Sequence, residues 1–372
     1  MRAGHYDLAI VGAGICGLAH ALAAARRGKK IVVIDRDAQA NGASIRNFGF
    51  VTVTGQQRGQ CWQRAMRSRD VWLEVAGPAH IDVVHRGVVV AARRPQAAAV
   101  LEAFLATEMG DGCELLAPAA AQSRFPVLNG VTAALYSPHE VRVESRDAIP
   151  RLADWLAKAH GVTFMHGVAV HGVAPPTIET SRGTVTAESA IVCPGDDLVS
   201  LFPERLQAYS LTRCKLHMMR LAAPGVRLDC AVMSDLGLVR YLGYAEIPEA
   251  AALNNVLLDE QPDHLQNGVH LIVVQSADGS LVVGDSHHYA ATPDPFAPER
   301  VDALILDEFH AVLASDDIRV SERWTGTYAS APDRLALIDK PADAIRLVLI
   351  TSGTGASTSF AIAEEVIADL YG

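Results

Sequence analysis

Tyr6-Asp-Leu-Ala-Ile-Val11, followed at once by Gly12-Ala-Gly-Ile-Cys-Gly17, is the stretch that decides how this chain folds. An apolar strand runs into three glycines at G-x-G-x-x-G spacing. Gly12 permits the tight turn, Gly14 lets backbone approach a pyrophosphate, and Gly17 lets the next helix pack close to the sheet. The pattern predicts a helix over Leu18–Arg27 whose N-terminal N–H groups face the phosphates. A second strand, Lys30–Ile34, delivers Asp35, 18 residues beyond Gly17, where a carboxylate can accept hydrogen bonds from ribose hydroxyls. Glycines alone are weak evidence; strand, turn, helix, strand and acid together specify a dinucleotide site.

Outward from that unit, Asn41-Gly-Ala-Ser-Ile-Arg-Asn-Phe-Gly-Phe50 is rich in small and hydrogen-bonding residues. Ser44, Arg46 and Asn47 there suit a loop that contacts phosphate or cofactor. Periodicity predicts helices over Gln60–Glu74, Gln96–Met109, Pro118–Arg124, Ser145–His160 and Pro298–Ala314. Strands are expected at Val83–Ala92, Val162–Met165, from Gly167 to Val173, and at Ser189–Cys193. From Leu211 the pattern changes to long alternating strands. Val269–Gln275 and Ser280–Ser286, separated by Ser276-Ala-Asp-Gly279, form the clearest hairpin. The chain then reads as a buried strand, Ile345–Ile350, a polar turn, Thr351–Ser359, and a helix, Phe360–Leu370.

The fold class is therefore α/β: a discontinuous Rossmann-like nucleotide domain joined to an α+β domain built on an antiparallel sheet. The expected limits are 1–80, 145–210 and 330–372 for the first domain, and 81–144 and 211–329 for the second. At 372 residues the chain is long enough for both. A net charge of −10 argues against a general nucleic-acid-binding role. Six scattered cysteines without a C-x-x-C pair argue against a zinc site or a disulfide framework, so no metal ligands are assigned. The apolar run Leu8–Ala25 mimics a secretory signal, but His20 interrupts it and its glycines fall at nucleotide-binding spacing; no stretch elsewhere is long and apolar enough to span a bilayer. A cytoplasmic location is expected. Nothing in the sequence sets the oligomeric state.

The ordered set of motifs resembles the D-amino-acid oxidase superfamily, and within it the glycine oxidase and sarcosine oxidase branch. The elements are Val11–Gly17, Asp35, Ala43-Ser-Ile-Arg-Asn47, Cys193-Pro-Gly195, Arg213-Cys-Lys215 and Gly353-Thr-Gly355. The resemblance covers essentially the whole chain and implies FAD rather than NAD. It implies cofactor contacts from Gly12, Gly14, Ile15, Cys16, Gly17, Asp35 and Arg36. To these it adds Ser44, Arg46, Asn47, Val168 and Gly195. Gly353, Thr354, Gly355, Ala356, Ser357 and Thr358 complete the set, in a loop near the isoalloxazine.

Three departures from the family pattern carry information. Where members with covalent FAD place a cysteine before the tyrosine, this chain has Gly326-Thr-Tyr328, which implies noncovalent flavin. Ser357 stands where sarcosine-oxidase-like members carry a lysine for the substrate carboxylate. Val282 stands where they carry a lysine associated with oxygen activation. The resemblance thus implies oxidation of a small anionic amine, with O2 or another electron acceptor. Its overall likeness is to a clade associated with breakdown of aminophosphonates, including N-alkylated 2-aminoethylphosphonate. A glycine, sarcosine or D-amino-acid oxidase or dehydrogenase remains an alternative. A flavoprotein electron-relay subunit is another, although no cysteine cluster suits an iron–sulfur outlet.

The candidate catalytic residues are Arg46, His287, Tyr328 and Ser357. Arg240 and Tyr241 are further candidates, with Arg240 expected on a sheet. Either His287 or His288, at the end of the second hairpin strand, is expected to face the flavin cavity.

Overall fold

The N-terminal strand, His5–Val11, pairs in parallel with Ile31–Asp35 on one side and Gly183–Val192 on the other. Thr163–His166 extends the sheet beyond Ile31–Asp35, and Ile345–Ile350 extends it beyond Gly183–Val192, both in parallel. Residues such as Leu8, Ile10, Val33 and Ile191 are fully buried, as expected of parallel strands covered on both faces. Helices Ile15–Ala25 and Gln60–Ala76 both pack against the C-terminal helix Gly355–Tyr371. The carboxyl ends Val11, Asp35 and Ile350 meet at one edge of the sheet, where open α/β sheets bind ligands. This computed structural model describes residues 4–315 and 318–372; the remaining residues of the two expected domains lie outside the described residues.

Among the described residues a second sheet carries ten strands. Thr212–Leu221 lies antiparallel to Leu281–Gly284, His288–Ala290 and Val320–Ser330. The expected hairpin forms between Ile272–Gln275 and Leu281–Gly284. The sheet is nevertheless mixed, because Ala231–Ser234 runs parallel to Val83–Ala92. Phe50–Val51, inside the stretch expected to belong to the nucleotide domain, pairs with Ala133–Val143 of this sheet.

Several element limits differ from expectation for identifiable reasons. The helix expected over Gln96–Met109 is Pro95–Leu105 followed by a 3-10 turn at Glu108–Gly110, where Thr107 caps with its hydroxyl. The long strand Ala133–Val143 was not legible in sequence because Pro138 interrupts it. In the structure a register shift opposite Arg86–Val88 accommodates that interruption. The C-terminal helix starts at Gly355, not Phe360, since its small polar first turn carries no apolar period to read. Arg240 is not on a sheet; it follows the 3-10 turn Asp235–Val239. No helix among the described residues is long and apolar enough to cross a membrane.

Candidate active site

The glycine turn is sterically committed. Gly12 adopts φ +101°, and a Cβ there would stand 2.3 Å from the Cys193 carbonyl oxygen. A Cβ on Gly17 would stand 1.9 Å from the Gly12 carbonyl oxygen. Asp35 Oδ2 accepts the Ala13 N–H at 2.6 Å and Oδ1 accepts the Asp37 N–H at 2.8 Å, so the carboxylate is fixed beside the turn. Ser44 Oγ accepts the Ile15 N–H at 2.9 Å, which brings the 41–50 loop over the first turn of the helix. Arg36 reaches across to Asp197 at 2.7 Å.

These residues line one end of a cavity of about 1190 Å³. That exceeds the usual range for a single small ligand, roughly 300–1,000 Å³, and leaves room for a dinucleotide with a substrate beyond it. Every residue implied as a cofactor contact lines the cavity except Thr358. Thr358 is buried in the C-terminal helix, where its hydroxyl donates to the Thr354 carbonyl at 3.0 Å. The helix begins at Gly355, five residues before the expected Phe360, and its phase turns the Thr358 side chain away from the cavity. The same start places Ser357 in a helical turn, where its Oγ accepts the Thr52 N–H at 2.9 Å. Ser357 still borders the cavity, and its hydroxyl retains its proton and one lone pair for a ligand.

The far end of the cavity is built by the second sheet. Arg46 donates to Asn41 Oδ1 at 3.0 Å, and Arg240 donates to the Tyr289 hydroxyl at 2.8 Å. Neither guanidinium has a carboxylate in ion-pair range among the described residues. Tyr241, Tyr289 and Tyr328 border the same space. Burial raises the Tyr241 and Tyr328 phenols well above their ordinary value, so both remain protonated donors. His287 borders the cavity, whereas His288 packs against His217 with the rings tilted by 53° and their centroids 5.7 Å apart.

Two cavity residues escaped sequence reading. His270 and Asp285 exchange backbone hydrogen bonds of 3.2 and 3.0 Å across the hairpin. That pairing departs by one residue from the register set by Ile272 opposite Gly284. The slip brings His270, Asp285 and His287 together, with one ligand-type atom from each within 4.8 Å of the others. Cys16, His20 and Cys193 form a similar group beside the glycine turn. Alternation marks His270 and Asp285 only as strand ends, and a register slip has no sequence signal. Burial pushes the Asp285 carboxyl up to about 8, with Arg240 pulling in the opposite direction. Burial and Arg240 push both His270 and His287 well below the ordinary imidazole range, so they are neutral.

Residues 7–370 match the family model described as FAD dependent oxidoreductase (DAO). A monomeric sarcosine oxidase from Bacillus sp. (strain B-0618) is 26% identical over 204 residues, a match spanning about half of each chain (51%). Among solved structures, glycine oxidase from Geobacillus kaustophilus superposes with TM-score 0.77 at 19% identity, covering 98% of this chain and 94% of that one. The L-alpha-glycerophosphate oxidase of Mycoplasma pneumoniae, solved with FAD bound, gives TM-score 0.77 at 14% identity over 99% and 95% of the two chains. Gly12 and Gly17 admit no side chain, the Asp35 carboxylate is held beside the turn, and the cavity is large enough, so the residues present fit FAD. The chain belongs to the FAD dependent oxidoreductase (DAO) family, and FAD is its cofactor.

Proposed function

We propose that the protein oxidises the C–N bond of a small anionic amine to an imine, which water hydrolyses to a carbonyl compound and a free amine. The observation that carries this reading is the pair of guanidiniums, Arg46 and Arg240, bordering the substrate end of the cavity without a carboxylate partner among the described residues. A buried or half-buried cation without a counter-ion is poised for an anion, and arginine forks suit phosphonate or carboxylate oxygens. FAD, when bound, supplies the two-electron acceptor that the side chains lack.

The chain's own residues bind, orient and shield. The Arg240 guanidinium and the Tyr289 hydroxyl supply donors for the anionic group, and the Tyr328 phenol offers another. The sheet behind them, with Val282 and Val283 buried, keeps water from the reacting carbon. An N-alkylated 2-aminoethylphosphonate is the preferred substrate in this proposal. Ser357 in place of a carboxylate-pairing lysine supports it, as does the number of donors a phosphonate needs. The likeness to sarcosine and glycine oxidases supports amine chemistry in general. Noncovalent FAD is part of the proposal: Gly326 occupies the attachment position, and the cysteines lining the cavity, Cys16 and Cys193, lie at the glycine-turn end. The six free cysteines support a reducing, cytoplasmic setting.

The test is anaerobic stopped-flow reduction of the holoenzyme with N-methyl-2-aminoethylphosphonate, sarcosine and glycine. The phosphonate should give the highest second-order rate constant. Faster bleaching by sarcosine or glycine would overturn the phosphonate assignment. A flavin left oxidised by every amine would overturn amine oxidation and favour an electron-relay role.

A further inference from the structure

We propose that Asp285, seated between His270 and His287, takes the proton that a substrate ammonium must lose before its C–N bond is oxidised. This rests on the amine-oxidation reading and assigns one residue a catalytic role within it. An ammonium has no lone pair with which to form an imine, and an alkyl amine of pKa roughly 10 arrives protonated at neutral pH. Some group at the site has to accept that proton.

The geometry singles out Asp285. Its side chain borders the cavity, yet the residue is only 4% exposed, and among the described residues Oδ1 has no hydrogen-bond partner. His270 Nδ1 lies 3.2 Å from Oδ1 and likewise has no hydrogen-bond partner among the described residues. His287 Nδ1 is 2.9 Å from the Gly268 carbonyl, which can only accept; Nδ1 therefore carries the hydrogen. That leaves the Nε2 lone pair facing Asp285 Oδ2, 3.8 Å away. Unsatisfied acceptors buried at the wall of a cavity are costly unless a ligand completes them. An ammonium with two or three N–H donors does so.

Arg240, which acts electrostatically on Asp285, makes the site a dipole: an acid for the ammonium and a guanidinium for the anion of one zwitterion. The other titratable groups facing Asp285 are Tyr241, beside Arg240, and Cys214 from the neighbouring strand, and burial keeps both protonated. In the step, the N–H bond breaks, its electron pair stays on nitrogen, and the proton moves to an Asp285 carboxylate oxygen. A carboxyl near 8 is ionised in about a tenth of molecules at pH 7 and in most above pH 8; in that ionised form it accepts the proton, as a base about a hundredfold weaker than the amine.

The experiment compares wild-type, D285N and D285E holoenzymes in anaerobic flavin reduction by N-methyl-2-aminoethylphosphonate and sarcosine from pH 5.5 to 9.5. D285N should reduce at least a hundredfold more slowly and lose the acid limb of the pH profile, and D285E should recover part of both. A second readout needs no turnover: calorimetric binding of glycine betaine, whose quaternary nitrogen has no proton to give. Its affinity should rise with pH in the wild type and fall tenfold or more in D285N at pH 9. Reduction of D285N at the wild-type rate with its acid limb intact would overturn the assignment alone. So would one equivalent of divalent metal in the purified holoenzyme whose chelation abolishes reduction. A wild-type flavin that no amine reduces would overturn the assignment together with the function beneath it.

Discussion

Replacing Asp285 by Asn should stabilise the protein increasingly as pH rises from 5 to 7. The folded carboxyl titrates near 8, against roughly 3.9 in an unfolded chain. Between those values the folded state holds one proton more than the unfolded state, so wild-type stability falls with rising pH. Asn mimics the neutral carboxyl and carries no such dependence. Each pH unit in the window is worth about 1.4 kcal/mol, so the advantage of D285N should grow by about 2–3 kcal/mol between pH 5 and pH 7. His270 and His287 have lowered pKa values and act in the opposite sense, losing stability as pH falls through the unfolded imidazole value. They are present in both proteins and cancel in the difference. For 372 residues the unfolding entropy is about 0.8 kcal/mol/K, which converts the change to about 3 °C in Tm. Reversible urea unfolding of both holoproteins at pH 5, 6 and 7, with fixed excess FAD, measures it. A difference that stays flat within about 0.5 kcal/mol, or that shrinks as pH rises, would refute a buried, protonated Asp285.

Gly17→Ala should yield protein largely free of flavin absorbance, because the added carbon meets the Gly12 carbonyl oxygen at 1.9 Å and forces the turn apart. Gly28→Ala has open space around the added carbon; despite some strain at φ +71°, it should retain FAD in the same assay. Acid precipitation of the wild type should release all yellow chromophore to the supernatant, whereas flavin on the pellet would contradict noncovalent binding. Arg240→Ala and Arg46→Ala should each raise the substrate concentration for half-maximal reduction about tenfold to a hundredfold, the worth of one lost charge-assisted hydrogen bond. FAD content measured from the absorbance spectrum should be largely retained in both.

Local sequence carried the nucleotide half of this protein. Gly12, Gly14, Gly17 and Asp35 act through their own backbone and their immediate neighbours, so spacing alone located the turn and the acid. The strand Ile345–Ile350 and the helix Ser145–His160 were legible for the same reason, as apolar periods bounded by turn residues. The substrate half was legible only in outline. The hairpin was evident from two alternating runs around Ser276–Gly279, yet the residues it presents to the cavity depended on a one-residue slip that pairs His270 with Asp285. Arg240 carried no mark distinguishing it from a surface arginine; the turn before it and Tyr289 from another strand aim it inward. Thr358 shows the converse, a residue that the motif assigns to the cofactor and the helix phase turns from the cavity. Spacing along the chain determines what a few neighbouring residues can do with their own backbone. Which distant side chains share a buried space is decided by strand register and helix phase, and those are set by packing across the whole molecule.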